Sequence, residues 1–214
     1  MAVVGRPIVE AWDGLAAAPQ LLLIERSQQK QTLGRPSLAS GSSMKRNGTV
    51  TVRRLLAFGM DWLVVVLWGS LLFGVVMIAT DGNPPRPGNP WKAQGIGFLT
   101  MTMPVTLYFA LCESSAMRAS LGKRLLGLVV SRESGERPSF WSALHRNAVK
   151  FVPWEFGHTV AQQAALSGAE GFPTWVWGPA VVALAGPVWW LITMIATGST
   201  PYDRWASTRV ARRA

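Results

Sequence analysis

An apolar run of about 25 residues, from Leu55 to Ala79, constrains the fold of this chain more than any other feature. A helix of this length, rising about 1.5 Å per residue, crosses a hydrocarbon core of about 30 Å. The run also exceeds the apolar core of a secretory signal peptide, so we read it as a retained membrane span. Its single charged residue is Asp61, in the second turn. The sequence therefore predicts a membrane protein and raises the question of what surrounds that carboxylate.

Two further apolar runs, at residues 93–112 and 174–197, are long enough to cross a membrane. The segment at residues 80–92 contains four prolines and must be a loop. Residues 151–166 are a shorter candidate, which other helices would have to shelter or which would be re-entrant. Its polar residues include Glu155, His158, Gln162 and Gln163. We predict an all-α membrane protein with a small bundle of four transmembrane helices, and three helices are the alternative.

The composition agrees with a membrane protein and gives the positive charge a specific use. About half of the residues are apolar (49%), and 11 are tryptophan, whose indole ring favours the headgroup level of a bilayer. The net charge of +10 would suggest nucleic acid binding in a soluble protein. Here the basic residues flank apolar runs, so we expect contact with the lipid bilayer and its anionic headgroups, and no nucleic acid partner.

The distribution of Lys and Arg predicts the orientation in the membrane. The polar middle segment, residues 113–150, and the tail after Thr197 are rich in basic residues, whereas the loop at 80–92 has only Arg86 and Lys92. The positive-inside rule places the middle segment and both termini in the cytoplasm. We therefore expect a multi-pass protein of the cell (inner) membrane.

The middle segment contains the predicted β-structure and one predicted surface helix. A short strand, a turn at Glu133–Glu136 and a second extended piece follow from the pattern of "LGLVVSRESGERPSFW", and together they predict a short cytoplasmic β-hairpin. Ser139 is placed to cap a helix that ends near Val152, with Arg146 and Lys150 pointing away from its apolar face. This pattern predicts an interfacial helix. A helix packed on the protein's own core is the alternative.

The first 43 residues differ in composition from the rest of the chain. They are rich in Ala, Gln, Ser and Gly, and their apolar stretches are too short to span a membrane. Met44 begins "MKRNGTVTVRRLL", which reads like a natural start with charges just before the first span. We therefore assign residues 1–43 to a disordered N-terminal extension and residues 44–214 to the membrane domain.

Arg54 and Asp61 lie on one face of the first predicted helix, seven residues or about 10.5 Å apart along its axis. That separation makes a direct ion pair difficult within one straight helix. Asp61 therefore needs another partner, a water-filled cavity, or protonation that keeps it neutral. The simpler alternatives are an interface anchor at Arg54 and a hydrogen bond between Asp61 and a neighbouring helix.

Glu155 and His158 are a second candidate site, because residues at i and i+3 present their side chains together on a helix. They are either relay partners for a proton or a plain polar pair buried between helices. A metal site would need further ligands, such as Asp61, and we expect neither a metal nor another cofactor. The segment "SLGKRLLGLVV" lacks the first Gly and the Ser/Thr of a phosphate loop, which argues against a nucleotide site.

Three motifs occur in order along the chain: "RLLAFGMD" in the first span, "SLGKRLLGLVVSRESGERPSFWSALHRN" in the middle segment and "TPYDRWASTRV" in the tail. Together they resemble the RDD family of membrane proteins, which takes its name from one arginine and two aspartates. The resemblance assigns these to Arg54, Asp61 and Asp203. In the middle motif the matching residues include Gly122, Lys123 and Gly127. The chain departs from the family's common pattern at Ser120, Tyr202 and Ala206–Ser207.

The RDD family has no settled biochemical role, and transport of an unidentified ligand is its usual suggestion. We therefore predict transport of an ion or small solute that uses protonation of Asp61, with Glu155 and His158 as relay partners. A chain this short is expected to transport as a homo-oligomer. The alternative is a non-transporting accessory or scaffold protein that binds a partner or anionic lipid. A metal-dependent enzyme built on Glu155 and His158 is less favoured, and we expect no enzymatic activity.

Overall fold

The computed structural model describes residues 39–84, 87–167, 171 and 173–213. Its elements, in chain order, are α1 (Ala39–Ala79), α2 (Pro90–Gly97), a π-helical turn (Phe98–Thr102), α3 (Met103–Ser114), α4 (Leu121–Leu125), β1 (Leu128–Arg132), α5 (Phe140–Leu166), a 3₁₀ turn (Thr174–Val176), α6 (Trp177–Thr197), α7 (Pro201–Trp205) and β2 (Thr208–Arg212). The prediction of a disordered extension at residues 1–43 falls almost wholly outside the described residues and stays a prediction.

Within the described part of the chain, three helical stretches are long and apolar enough to cross a membrane: Gly48–Ala79, Pro90–Ser114 and Thr174–Thr197. Each contains one of the spans predicted from the sequence. Most side chains of the first and third stretches are not buried by the protein itself, as expected of helices that lipid covers. Helix α5 is 27 residues long but carries more polar side chains, and it is not one of these three stretches. A fourth crossing therefore stays a prediction.

One continuous helix, α5, replaces both the predicted interfacial helix and the separate predicted span at residues 151–166. Ser139 caps its first turn as predicted, because its Oγ accepts a hydrogen bond from the Ser142 backbone N–H at 3.2 Å. The helix then continues through Pro153 and packs against α3 and α6. Arg146 does not point away from the core but is 1% exposed. The surface helix was wrong, because a helical wheel does not show the buried carboxylates that Arg146 binds.

Strand β1 pairs with the C-terminal strand β2 and not with the residues that follow the turn. The two strands are antiparallel, and Val130 lies opposite Val210. The turn at Glu133–Glu136 is present, since the Glu136 carbonyl accepts a hydrogen bond from the Arg132 backbone N–H at 2.9 Å. The predicted β-hairpin was wrong, because α5 begins soon after the turn and the partner strand lies at the other end of the chain.

Helices α1 and α3 pack together around an apolar cluster formed by Val65, Val105 and Phe109. Pro104 has no backbone N–H, so the carbonyl of Thr100 lacks its usual partner four residues later. The Trp68 indole N–H of α1 donates a hydrogen bond to this carbonyl at 2.9 Å. A tryptophan of α1 thus compensates for a proline in α3, just after the π-helical turn ends at Thr102.

Helices α5 and α6 approach closely where Gly186 faces Pro153. A Cβ added at Gly186 would lie 2.7 Å from Pro153 Cγ, so a larger residue would force the helices apart. One turn along, Gly157 of α5 faces Ala183 of α6, and a Cβ added there would be 3.8 Å from the Ala183 Cβ. Small residues therefore set the spacing of α5 and α6, as is common between membrane helices.

Candidate functional site

Asp61 anchors the short helix α4 and does not pair with Arg54. The residue is 3% exposed. Its Oδ2 accepts a hydrogen bond from Ser120 Oγ at 2.6 Å, and its Oδ1 accepts one from the Gly122 backbone N–H at 2.7 Å. The carboxylate thus acts as a cap for the first turn of α4, where backbone N–H groups have no partner within the helix. The charge of Asp61 is therefore met by polar groups of a neighbouring segment.

Gly122 allows the middle motif to lie directly against α1. A Cβ at this position would be 2.2 Å from the Ala57 carbonyl oxygen and 2.9 Å from Asp61 Oδ1. Atoms cannot approach this closely, so a side chain at position 122 would push α4 off α1. The glycine is therefore required by the same contact that binds Asp61.

Two other predicted motif residues fix the remainder of this segment. Lys123 is buried, and its Nζ lies 2.6 Å from Glu113 Oε1. Gly127 has a φ of +65°, a conformation that favours glycine, and its carbonyl accepts a hydrogen bond from the Arg213 backbone N–H at 2.7 Å. The segment 120–127 is thereby joined to α1, to α3 and to the residue that follows β2.

A chain of buried ion pairs, here called the ion network, lies beside Asp61. Arg54 Nη2 is 2.5 Å from Asp203 Oδ2, and Arg146 Nη2 is 2.6 Å from Asp203 Oδ1. Arg146 Nη1 lies 2.7 Å from Glu113 Oε2, and Glu113 also binds Lys123. The network joins α1, α7, α5, α3 and α4 at one end of the helices.

The three residues that name the resemblance are thus divided between two contacts. Arg54 and Asp203 bind each other directly, whereas Asp61 belongs to the contact with α4. Glu113 and Arg146, at the centre of the ion network, were not predicted as site residues. Glu113 stood at the end of an apolar run and Arg146 on the apparent polar side of a helix. The isolated carboxylate of Glu113 beside a predicted span was the sequence signal that could have marked it as a candidate.

The ion network keeps Asp203 ionised. Burial alone would raise the pKa of Asp203, but the guanidinium groups of Arg146 and Arg54 outweigh that effect and hold the pKa well below its usual range. The Thr200 backbone N–H adds a hydrogen bond to Oδ2 at 3.2 Å. Because the carboxylate is buried, removal of one partner would leave a poorly solvated charge, which is strongly destabilising.

Glu155 and His158 lie together on α5, where this helix meets α2 and the π-helical turn. His158 Nδ1 is 3.4 Å from Glu155 Oε1, and Gln94 Nε2 donates a hydrogen bond to Oε2 at 2.7 Å. The Thr102 hydroxyl also donates to Oε1. In the part of the chain that the structure describes, no three His, Cys, Asp or Glu side chains are grouped closely enough to hold a metal ion. Asp61 therefore does not complete a metal site with this pair.

A cavity of about 510 Å³ lies between α1, α3, α5 and α6. Its wall is mainly apolar and aromatic and includes Phe58, Trp62, Val65, Phe109, Trp154 and Trp190. Among its lining residues are two charged side chains, Asp61 and Lys150, and the polar residues Thr102, His158 and Tyr202. A second cavity of about 280 Å³ shares Asp61, Lys150 and Tyr202 with the first and also touches the ion network. We call the first of these the central cavity.

The sequence matches the RDD family over residues 49–207. This range includes the apolar part of α1, the segment that binds Asp61, and the whole ion network. No curated protein and no solved structure matches the chain. Because the family match covers most of the chain and three helices are suited to crossing a membrane, the chain is an integral membrane protein that belongs to the RDD family.

Proposed function

We propose that this RDD protein is a transporter of the cell (inner) membrane that carries a small solute through the central cavity. The cavity is the observation that carries the proposal. Small-molecule sites measure about 300–1,000 Å³ and are mostly apolar with a few placed polar groups, and the central cavity has that size and character. Its position between helices, with Asp61 in its wall, supports a role for the intramembrane carboxylate.

Four crossings with both termini in the cytoplasm are part of this proposal. Arg146, near the start of α5, binds Asp203, which follows the end of α6. Trp91, near the start of α2, stacks on Trp175, just before the start of α6, with ring centroids 5.7 Å apart. These contacts support α5 as a helix that runs the length of the bundle, with Glu155 directed at α2. The end with the ion network also carries exposed basic side chains, which favour the cytoplasm: Arg132, Arg137, Arg209, Arg212 and Arg213.

Asp61 would couple proton binding to movement of the segment 120–127. Both of its oxygens accept hydrogen bonds, so a proton on the carboxyl would replace one acceptor by a donor. The contact with Ser120 or Gly122 would weaken, and the segment at the cytoplasmic end would be released. His158 lies in the same cavity wall and would relay the proton together with Glu155. The chain is short for a transporter, so we include a homo-oligomer in the proposal.

Flux through reconstituted protein tests this function. Currents and changes of internal pH are recorded from proteoliposomes under imposed gradients of protons, Na⁺, K⁺ and small organic anions, because a proton that moves with a singly charged anion carries no net charge. Asp61→Asn removes the carboxyl from the cavity wall and keeps the shape of the side chain, whereas Arg137→Ala changes an exposed charge. We expect flux with the wild type and with R137A, and its loss with D61N. Folded wild-type protein that gives neither a current nor a change of internal pH under any of these gradients would refute transport.

An accessory role is the second candidate, favoured by the exposed basic side chains of the two-stranded sheet. Arg132 of β1 and Arg209 and Arg212 of β2 are all exposed. Such a surface suits an acidic partner protein at the membrane. A stoichiometric partner that co-purifies with the wild type and is lost from R209E/R212E, in a protein without flux, would favour this role over transport.

A further inference from the structure

Lys150 is a cation without a counter-ion inside the helix bundle. It is half-buried on α5, and among the residues that the structure describes its Nζ has neither an ion-pair partner nor a hydrogen-bond acceptor. The Nζ instead lies over aromatic rings, 3.8 Å from the centroid of Phe109 and 5.0 Å from that of Phe151. Aromatic faces attract a cation but do not neutralise it.

A count of the buried charges around Lys150 also gives an excess of one positive charge. The buried carboxylates are Asp61, Glu113 and Asp203, and the buried network cations are Arg54, Lys123 and Arg146. Each of these cations binds a carboxylate of the network directly. Lys150 therefore adds one positive charge that the described side chains do not balance. A cation in a largely apolar wall is poorly compensated, and a bound anion with a single charge would compensate it.

The position of Lys150 shows where such an anion would lie. Lys150 is part of the wall of both cavities, as is Asp61. The remainder of the central cavity is largely aromatic and apolar, so it suits a hydrocarbon or aryl group better than a hydrated ion. A ligand that matches both features has one negative charge at Lys150 and an apolar body against the tryptophans.

We propose that the central cavity binds a small amphipathic carboxylate, with its carboxylate on Lys150 Nζ and its apolar body against the aromatic wall. The inference rests on the proposed use of the cavity as a solute site and names the class of solute. A carboxylate carries the single charge that the excess requires, and nearby Asp61 disfavours a second one. Arg54 and Arg146, whose planar groups would suit a phosphate, are already bound to carboxylates.

Quenching of tryptophan fluorescence by a brominated ligand tests this assignment without any need for flux. The probe is 10-bromodecanoate, added to protein in nanodiscs of zwitterionic lipid, and 10-bromodecanol is the uncharged analogue with the same body. Bromine quenches indoles at short range, and the cavity wall contains Trp62, Trp154 and Trp190. Lys150→Gln removes the charge, Lys150→Arg keeps it, and Lys92→Gln is the control at an exposed lysine.

We expect saturable quenching by bromodecanoate in the wild type, K92Q and K150R. K150Q should bind it about tenfold more weakly or worse, because a hydrogen bond to a charged group contributes about that much to affinity. Bromodecanol should bind to the wild type more weakly than bromodecanoate does. To K150Q, the two probes should bind with equal affinity. Equal affinity of the two probes for the wild type would overturn the inference, as would unchanged bromodecanoate affinity in K150Q.

The outcome is separable from that of the transport experiment. If K150Q does not fold, the comparison of the two probes on the wild type still decides the question. Selective binding of bromodecanoate without flux would refute transport and support the carboxylate site. Flux of another solute, together with no preference for bromodecanoate, would refute the carboxylate site alone.

Discussion

Replacement of Arg146 by glutamine is expected to destabilise the protein by about 3–5 kcal/mol, the range found when one partner of a buried ion pair is removed. Arg146 is 1% exposed and binds two carboxylates. Its Nε and Nη2 donate to Asp203 Oδ1 at 2.9 and 2.6 Å, and its Nη1 donates to the two oxygens of Glu113 at 2.8 and 2.7 Å. R146Q would remove the positive charge that these contacts share.

The expected loss is smaller than a sum over hydrogen bonds. At about 1.5–3 kcal/mol for each bond to a charged group, the four contacts would total more than the range given above. Asp203 retains Arg54, however, and Glu113 retains Lys123 and the Asn147 amide at 2.9 Å. Each carboxylate therefore keeps at least one partner that stabilises its buried negative charge.

Unfolding by SDS in mixed micelles, followed by tryptophan fluorescence, measures this loss. Arg137→Gln is the matched control, because Arg137 is exposed and near the start of the same helix. Glu113→Gln in the R146Q background should not recover the stability, since it leaves buried Lys123 without its carboxylate. Free energies of unfolding for R146Q and R137Q that agree within about 0.5 kcal/mol would show that the ion network is not a buried electrostatic unit.

Three further predictions concern stability in the same assay. Gly122→Ala should cost at least about 1–3 kcal/mol because its Cβ overlaps α1, whereas Gly74→Ala, with open space around it, should not destabilise. Trp68→Phe should cost about 1 kcal/mol, since the Thr100 carbonyl loses its donor. Stability should hold above about pH 5 and decline as the pH falls towards the depressed folded-state pKa of Asp203, because the unfolded carboxyl binds a proton first, near pH 3.9. The first prediction would be contradicted if G122A were as stable as G74A, and the second if W68F were as stable as the wild type. The third would be contradicted if the stability of the wild type did not fall at acid pH.

The site was partly predictable from sequence because the local backbone restricts which residue type some of its motif positions accept. Gly127 lies at a positive φ, and Gly122 lies where a side chain cannot fit, so both are restricted by the backbone. Arg54 and Asp203 were recognised through the family resemblance. Their direct contact was not predictable, because they are far apart in the chain and only folding brings them to 2.5 Å.

Glu113, Arg146 and Lys150 were missed for a different reason. A charged residue next to an apolar run is normally solvated, so the position of Glu113 beside a predicted span could mark it as a candidate but could not show that it is paired inside the protein. Lys150 in particular was assigned to the exposed side of a helix, and the structure places it in the cavity wall. The same limitation affected β1, since a strand pattern does not show whether its partner is nearby or eighty residues away.

Local composition and chain geometry determined the three apolar helices, because length and apolarity alone decide whether a segment suits the hydrocarbon core. They also determined the turn at Glu133–Glu136 and the cap at Ser139, which depend on neighbouring residues. Tertiary structure decided the partners of Asp61 and Asp203, the continuity of α5 and the existence of the central cavity. Those features depend on which helices pack together, and the energy of a buried charge depends on every group around it rather than on its place in the sequence.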